Sequence, residues 1–145
     1  MTNSPRLLRA VVTQLESAGF AVVVFGGWAE ELNGLSPPRT HHDIDLLLLD
    51  PDLAMLDAFL STKAEAAEKR STHKRALTVD GVLVDLFIAK SDGGAYITLF
   101  WDQLRWPWPA NLTVAIAGLR VASPECLATY RSSWSTIRAS GPASF

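Results

Sequence analysis

This chain has a single cysteine and no large excess of one charge. Cys126 is the one thiol among 145 residues, so no intrachain disulfide forms, which excludes a disulfide-stapled secreted scaffold and favours a reducing compartment. Lys and Arg number 13 against 15 Asp and Glu, for a net charge of −2. This balance provides no basic field for a polyanion, so we do not expect nucleic acid as a partner.

Long apolar runs are also missing. The leucine run from Leu46 to Leu49 is far short of the ~20 residues that cross a bilayer. Near the amino terminus, Arg6 and Arg9 interrupt the apolar positions, and no small-residue cleavage pattern follows them, so we do not interpret this segment as a signal peptide. The sequence therefore predicts a cytoplasmic protein without membrane association.

The composition is that of a folded domain. Hydrophobic residues make up 48% of the chain and charged residues 19%, which excludes a disordered or low-complexity chain. A length of 145 residues indicates one domain with a sizeable core.

Hydrophobic periodicity and turn residues predict helices that alternate with short buried strands. Helices are predicted over residues 4–18, from Trp28 to about Leu35, around Leu53 to Leu60, and after Ser123-Pro124-Glu125. Strands are predicted at Ala21–Phe25, Ile44–Leu49, His73–Val79, Val82–Ile88 and Leu112–Val121, the last interrupted at Gly118. Residues 63–71 are predicted to be a solvated helix end or a loop, and residues 101–109 a loop rich in Trp and Pro.

Three aspartates carry the clearest chemical signal. Asp43 and Asp45 flank Ile44 at the start of a predicted strand, and residues i and i+2 of a strand point to the same face. Asp85 lies inside the apolar run Val82–Ile88, where an unpaired buried charge would be costly. If the two strands are neighbours, the carboxylates converge on a divalent cation, of which Mg²⁺ fits best. The alternative is that Asp43 caps a turn and Asp85 pairs with an arginine such as Arg39.

Two glycines add a second part of a possible site. Gly26 and Gly27 follow a predicted strand directly and precede a helix. Backbone N–H groups and the positive end of a helix hold phosphate well in this arrangement. A phosphate cradle together with metal-binding carboxylates provides what phosphoryl or nucleotidyl transfer requires.

These segments resemble a known family. Phe25-Gly26-Gly27-Trp28-Ala29, Arg39-Thr40-His41-His42-Asp43-Ile44-Asp45-Leu46 and Gly81-Val82-Leu83-Val84-Asp85-Leu86 are similar to the GGW, R-x-H-x-DID and third-aspartate motifs of antibiotic nucleotidyltransferases. These enzymes, among them small lincosamide and aminoglycoside nucleotidyltransferases, belong to the polymerase-β-like superfamily. The resemblance covers roughly residues 5 to 134. It implies an α/β (α+β) fold with a mixed central sheet flanked by helices, in one minimal domain over residues 1–145.

The resemblance also implies roles for particular residues. A nucleoside triphosphate would be bound by Gly26, Gly27, Trp28 and Arg39. Mg²⁺ would be bound by Asp43 and Asp45, with Asp85 as third ligand, as general base, or as both. Glu31 stands where relatives often have an aspartate, and the resemblance makes it a candidate for contact with the substrate.

The aromatic segment is a second candidate for substrate contact. Trp101, Trp106 and Trp108 alternate with prolines and could form an aromatic wall for a nucleotide or acceptor ring. The alternative is a contact within the core or between subunits. Because a minimal domain has no appended substrate domain, we expect this loop or a second subunit of a homodimer to complete the acceptor pocket.

The expected function is Mg²⁺-dependent transfer of a nucleoside monophosphate, AMP from ATP, to a hydroxyl of a small molecule. By resemblance, the acceptor would be an aminoglycoside or lincosamide antibiotic, which would make the protein an antibiotic-resistance factor. One alternative is a toxin-like nucleotidyltransferase that modifies tRNA or a protein. Another is a non-catalytic nucleotide-binding protein of the same fold. The basic residues that tRNA would need are interrupted by Glu65 and Glu68, which disfavours the first alternative.

Overall fold

The computed structural model describes residues 3–141. The helices are α1 (Pro5–Ser17), α2 (Gly26–Leu32), α3 (Leu53–Leu60) and α4 (Pro124–Ala139), and a 3₁₀ turn covers Ala67–Lys69. The strands are β1 (Ala21–Phe25), β2 (Asp43–Leu49), β3 (Ala64–Glu65), β4 (Lys74–Val79), β5 (Val82–Asp92), β6 (Ala95–Phe100), β7 (Leu104–Pro107), β8 (Thr113–Ile116) and β9 (Leu119–Ala122). Over these residues, no helix is both long and apolar enough to span a membrane.

The sheet is mixed, as expected. Its main path runs β3-β4-β5-β2-β1-β9-β8. β2 pairs parallel with β5 and antiparallel with β1, and β1 pairs parallel with β9. The far end of β5 pairs with β6, and β6 pairs with β7. Consecutive residues of the central strands β1 and β2 are buried, so both faces of these strands are covered. This burial accounts for their nearly unbroken apolar sequences.

Two helices begin with a serine cap. Ser4 accepts a hydrogen bond from Leu7 N at the start of α1, and Ser123 accepts one from Cys126 N at the start of α4. Both α1 and α4 have proline in the first turn, where the N–H group that proline lacks would have no partner within the helix. The apolar face of α1 is buried in the core, with Leu7, Leu8, Val11, Val12 and Leu15.

Several predicted boundaries differ from the structure. α2 begins at Gly26 and ends at Leu32. Its early start follows from Gly26, which turns the chain at a φ of +62° without an intervening loop. Residues 112–121 form the hairpin β8–β9 instead of one interrupted strand, with Gly118 in its turn. Residues 63–71 contain the short strand β3 and the 3₁₀ turn. The strand β6 was not predicted.

The expectation of an irregular tryptophan loop is wrong. Residues Leu104–Pro107 form β7, which pairs with β6 alone. Proline is tolerated there because an edge strand has one side without ladder hydrogen bonds. Trp106 is 8% exposed and Trp108 is 3% exposed, and the Trp108 indole N–H donates to Thr98 Oγ1 at 2.7 Å. Both rings are part of the hydrophobic core.

Candidate functional site

The three aspartates converge, as expected if their strands are neighbours. β2 and β5 are adjacent and parallel, and their register places Asp45 directly beside Asp85. One carboxylate oxygen from each of Asp43, Asp45 and Asp85 lies within 4.8 Å of the others. Asp43 is exposed, Asp45 is partly buried, and Asp85 is 6% exposed. The cluster therefore has one open side and one buried side.

Gly26 allows the Asp45 carboxylate to lie against the backbone. A Cβ atom at position 26 would stand 2.4 Å from Asp45 Oδ2 and 3.0 Å from Asp45 Cβ. The left-handed φ of Gly26 also favours glycine. The glycine thus has a second function besides opening α2, since it leaves space for a carboxylate of the cluster.

Crowding of like charges changes the acidity of the cluster. Burial, with the charges of Asp43 and Asp85, raises the pKa of Asp45 to about 7, although Lys74 opposes the shift. Burial and the Asp85 charge also raise the pKa of Asp43. Both pKa shifts have the direction expected for carboxylates that lie close together in a partly buried site.

The counter-ion of Asp85 is Lys74, and the suggested pairing with Arg39 is wrong. Lys74 Nζ lies 3.0 Å from Asp85 Oδ1, because residue 74 is two positions from Ala76, the register partner of Asp85, on the same face of the sheet. Asp85 Oδ1 is buried and forms no hydrogen bond. The ammonium therefore balances charge without satisfying this oxygen as an acceptor.

The cluster fits a divalent cation of the Mg²⁺ type. Such cations take oxygen ligands, and Mg²⁺ is usually bound through carboxylates, with water or phosphate oxygens completing the shell. Here three carboxylates offer oxygens within one coordination sphere, and a buried oxygen of Asp85 has unused acceptor capacity. The donor set contains neither thiolate nor imidazole, which disfavours a zinc site.

A buried amide holds the segment that leads into β2. The Asn3 side-chain Nδ2 donates to His41 O at 3.2 Å and to Asp43 O at 2.8 Å. Its Oδ1 accepts a hydrogen bond from Trp28 Nε1 at 3.1 Å. One side chain thereby connects the segment before α1 with helix α2 and with the backbone of Asp43.

Glu31 holds the same segment from α2. Its Oε1 accepts a hydrogen bond from Arg39 N at 3.1 Å and lies 2.9 Å from His41 Nε2. The hydrogen bond with His41 is the main cause that lowers the pKa of Glu31. Glu31 therefore orients residues 39–41 and does not line the cavity described below, contrary to the expected substrate contact.

Gly27 faces the residues that Glu31 holds. A Cβ atom at position 27 would stand 2.5 Å from an Arg39 guanidinium nitrogen and 3.0 Å from His41 Nδ1. The guanidinium thus lies over the start of α2. Trp28 is 3% exposed and its ring packs at 4.1 Å from the His41 ring, so the expected contact between Trp28 and a nucleotide is replaced by a supporting role in the core.

A cavity of about 400 Å³ opens beside Asp45. One part of its lining is polar or charged and the other part is aromatic or aliphatic. It is lined by Gly26, Gly27, Glu30, Arg39, Asp45 and Arg131, and by Phe25, Phe87, Leu127, Tyr130 and Trp134. The cavity combines a surface for phosphate with a surface for a flat ring.

The expected tryptophan wall lies behind this cavity instead of facing it. Trp108 stacks nearly parallel on Tyr130, at 5.8 Å between ring centroids, and Trp106 packs edge-on against Tyr130. Trp101 packs edge-on against His73. These rings support Tyr130 and its surroundings, and none of the three lines the cavity.

Comparison with solved structures gives a consistent fold. No protein-family model matches the chain, and no curated protein matches it. The lincosamide antibiotic adenylyltransferase LnuA, solved with lincomycin bound, superposes with a TM-score of 0.73 at 15% identity, over 92% of this chain and 89% of that one. ANT(2")-Ia, solved with adenylyl-2"-tobramycin, gives a TM-score of 0.64 at 18% identity, over 96% and 81% of the two chains. This chain has a nucleotidyltransferase fold.

A third structure supports the same conclusion. A candidate nucleotidyltransferase of Thermotoga maritima superposes with a TM-score of 0.63 at 20% identity, over 92% of this chain and 86% of that one. The nucleotidyltransferase fold confirms the fold class expected from the three motifs, with a mixed sheet and flanking helices.

Sequence reasoning missed several residues that surround the carboxylates. Lys74 was visible only as part of a basic cluster, since its partner is on another strand. Tyr130 and Trp134 are four residues apart on α4 and face the cavity together, a spacing that could have indicated a shared face. Arg131 also lines the cavity and pairs with Glu30 of α2. Asn3 had no signal in the sequence.

Proposed function

We propose that the protein is a Mg²⁺-dependent nucleotidyltransferase that moves AMP from ATP to a hydroxyl of a small molecule and releases pyrophosphate. The observation that carries the proposal is the cluster of Asp43, Asp45 and Asp85 with its unsatisfied buried oxygen, at the edge of a cavity that also contains Gly26 and Arg39. The nucleotidyltransferase fold supports it.

Each aspartate has a role in this reaction. Asp43 and Asp45 would hold a divalent cation together with Asp85. When bound there, the cation would supply positive charge for the phosphates and for the acceptor hydroxyl. The acceptor oxygen forms a bond to the α-phosphorus while the bond to the pyrophosphate oxygen breaks, and the hydroxyl proton passes to the Asp85 carboxylate. Pyrophosphate leaves with the bonding electron pair.

The other cavity residues serve the nucleotide. Gly26 and Gly27 line the cavity at the start of α2, and Arg39 beside them supplies positive charge for the phosphates. The aromatic part of the cavity, which includes Phe25 and Tyr130, fits a purine ring. Phe25 and Tyr130 pack edge-on at 4.8 Å between centroids, so this surface is preorganised.

A small-molecule acceptor fits the surface charge better than RNA does, because the net charge of −2 offers no general attraction for a polyanion. The lincomycin and tobramycin groups in the two solved structures make lincosamides and aminoglycosides the first acceptors to test. A role in antibiotic resistance, a homodimer that completes the acceptor pocket and a cytoplasmic location are further parts of this proposal.

Pyrophosphate release tests the proposal. Purified protein is supplied with Mg²⁺ and with ATP, GTP, CTP or UTP, and with lincomycin, tobramycin or total RNA as acceptor. We expect release with ATP and a small molecule, and its loss in Asp43→Asn. Asp92→Asn is the matched control, since Asp92 is an exposed aspartate whose partner is Arg105.

The other outcomes identify the alternatives. Labelling of RNA from radioactive ATP would favour a toxin-like enzyme. ATP binding measured by calorimetry, without pyrophosphate release across the acceptor panel, would favour a non-catalytic nucleotide-binding protein. Equal turnover in Asp43→Asn and in the wild type would contradict the proposed site.

A further inference from the structure

Lys74 forms an ion pair with Asp85, the most buried aspartate of the cluster. Its side chain is 19% exposed and that of Asp85 is 8% exposed, with 3.0 Å between Nζ and Oδ1. When the three carboxylates of the cluster are ionised, this one ammonium leaves two negative charges unbalanced. That deficit equals the charge of one divalent cation.

The contact between Lys74 and Asp85 leaves room for exchange. Asp85 Oδ1 is buried and lies 3.0 Å from Nζ, but the contact does not have hydrogen-bond geometry. A divalent cation carries twice the charge of the ammonium, so it can replace the ammonium at this oxygen without leaving the carboxylate unpaired. Lys74 and a metal ion compete for the same oxygen.

The Lys74 ammonium also lies near an aromatic ring that lines the cavity. Its register partner on β5 is Phe87, and Nζ lies 5.6 Å from the centre of the Phe87 ring. Phe87 lines the cavity that holds Gly26, Gly27 and Arg39. Because the lysine side chain is flexible, a rotation over this ring would move the ammonium toward the cavity without a backbone change.

We propose that Lys74 is a resident counter-ion of Asp85 that gives way to a divalent cation and then binds the phosphates of the nucleotide. This inference rests on the proposed function, and it adds a residue that the three motifs do not contain. In the free protein Lys74 balances part of the negative charge of the cluster. In the loaded protein it supplies positive charge beside the transferring phosphate.

Two binding measurements test the exchange without any need for the acceptor. The first is the affinity for Mn²⁺ alone, followed by electron paramagnetic resonance. The second is the affinity, at saturating Mn²⁺, for a methylene-bridged ATP analogue that cannot release pyrophosphate. In Lys74→Met we expect Mn²⁺ to bind about tenfold more tightly and the analogue to bind about tenfold more weakly.

Lys74→Arg and Lys63→Met are the controls. Lys74→Arg retains the charge, so Mn²⁺ affinity should stay near that of the wild type and analogue affinity should recover in part. Lys63 lies 5.2 Å from the centre of the Phe59 ring, which matches the lysine-on-phenylalanine contact of Lys74, but it has no part in the cluster. Lys63→Met should change neither affinity.

Opposite movement of the two affinities distinguishes this role from a structural one. If Lys74 merely held Asp85 in place, Lys74→Met would weaken both Mn²⁺ and analogue binding, and the exchange would be overturned. Unchanged analogue affinity would overturn the phosphate contact. A wild-type protein that binds Mn²⁺ and the analogue but never releases pyrophosphate would contradict the proposed function and leave these binding results standing. A wild type that binds no Mn²⁺ would overturn both.

Discussion

The Asp45 carboxylate lies so close to Gly26 that a methyl group at position 26 would stand 2.4 Å from Asp45 Oδ2. A motif glycine and a motif aspartate, 19 positions apart in the sequence, are thus one structural unit. The tight approach keeps Asp45 between the start of α2 and the neighbouring Asp85. The spacing of the cluster depends on the absence of a side chain at position 26.

Gly26→Ala should therefore disable the cluster. The added methyl displaces the Asp45 carboxylate, and we expect Mn²⁺ affinity to fall by about tenfold or more. Losses of this size are typical when the residues that orient a metal ligand are changed. The left-handed φ adds about 1–2 kcal/mol of instability. Calorimetry measures the affinity and urea unfolding measures the free energy of unfolding.

Gly34→Ala is the matched control for this variant. Gly34 has a φ of +73° and no atom within 4 Å of its added Cβ, so it carries the strain without the collision. We expect a similar loss of stability and unchanged Mn²⁺ affinity. Equal affinities in the two variants would contradict the dependence of the cluster on Gly26.

Asn3→Asp tests the hydrogen bonds that hold the Asp43 segment. The change keeps the size of the side chain but removes the Nδ2 donor to His41 O and Asp43 O. We expect Mn²⁺ affinity to fall by about tenfold or more, because Asp43 loses its backbone support. Asn33→Asp removes a side-chain amide that also donates to two backbone carbonyls, Ala29 O and Ala122 O, and should leave the affinity unchanged. A fall in both variants would indicate a general loss of structure.

Metal affinity should rise with pH until Asp45 is ionised. The pKa of Asp45 is raised to about 7, so protons compete with a metal ion below that pH. We expect Mn²⁺ affinity to increase steeply from pH 5.5 to 7 and to level off above it. Calorimetric titrations across this range measure the effect. A flat profile would contradict the raised pKa.

The stability of the metal-free protein should show the opposite trend at Asp45. An acid whose pKa is raised on folding binds more protons in the folded state, so its contribution to stability is present at low pH and is lost as pH rises from about 4 toward about 7. We expect the difference in unfolding free energy between wild type and Asp45→Asn to shift against the wild type over this range. Urea unfolding at several pH values isolates this difference, since other titrating groups are common to both proteins.

His73 should make the fold sensitive to acid. Burial lowers the pKa of His73 to about 4, and its Nδ1 accepts a hydrogen bond from Trp101 N at 3.2 Å. A base with a lowered pKa stabilises the fold above its unfolded pKa of 6.5, and this contribution decreases as pH falls toward about 4. At pH 5 the loss amounts to about 2 kcal/mol.

His73→Asn measures this contribution directly. An asparagine Oδ1 has nearly the position of Nδ1 as an acceptor but does not titrate. We expect the variant to lose less stability than the wild type between pH 7.5 and pH 5, measured by urea unfolding. His42→Asn removes an exposed histidine and should follow the wild type. The same acid sensitivity in His73→Asn would show that another group is responsible.

The local parts of the site could be predicted from short stretches of the sequence. Strand alternation places Asp43 and Asp45 on one face because that period is a property of the extended chain. The two glycines after an apolar run predicted the turn into α2, and Ser123-Pro124 predicted the start of α4. These features depend on residues that are near one another in the chain.

Contacts between residues that are far apart in the sequence depend on strand pairing and packing. The parallel register of β2 and β5 brings Asp85 to Asp45, and the register of β4 brings Lys74 to Asp85. Asn3 meets Asp43 from 40 positions away. Trp106 lies in β7 and Trp108 directly follows it, and both rings are buried in the core although prolines flank them. Such contacts depend on pairing and packing over the whole chain, which no local pattern encodes.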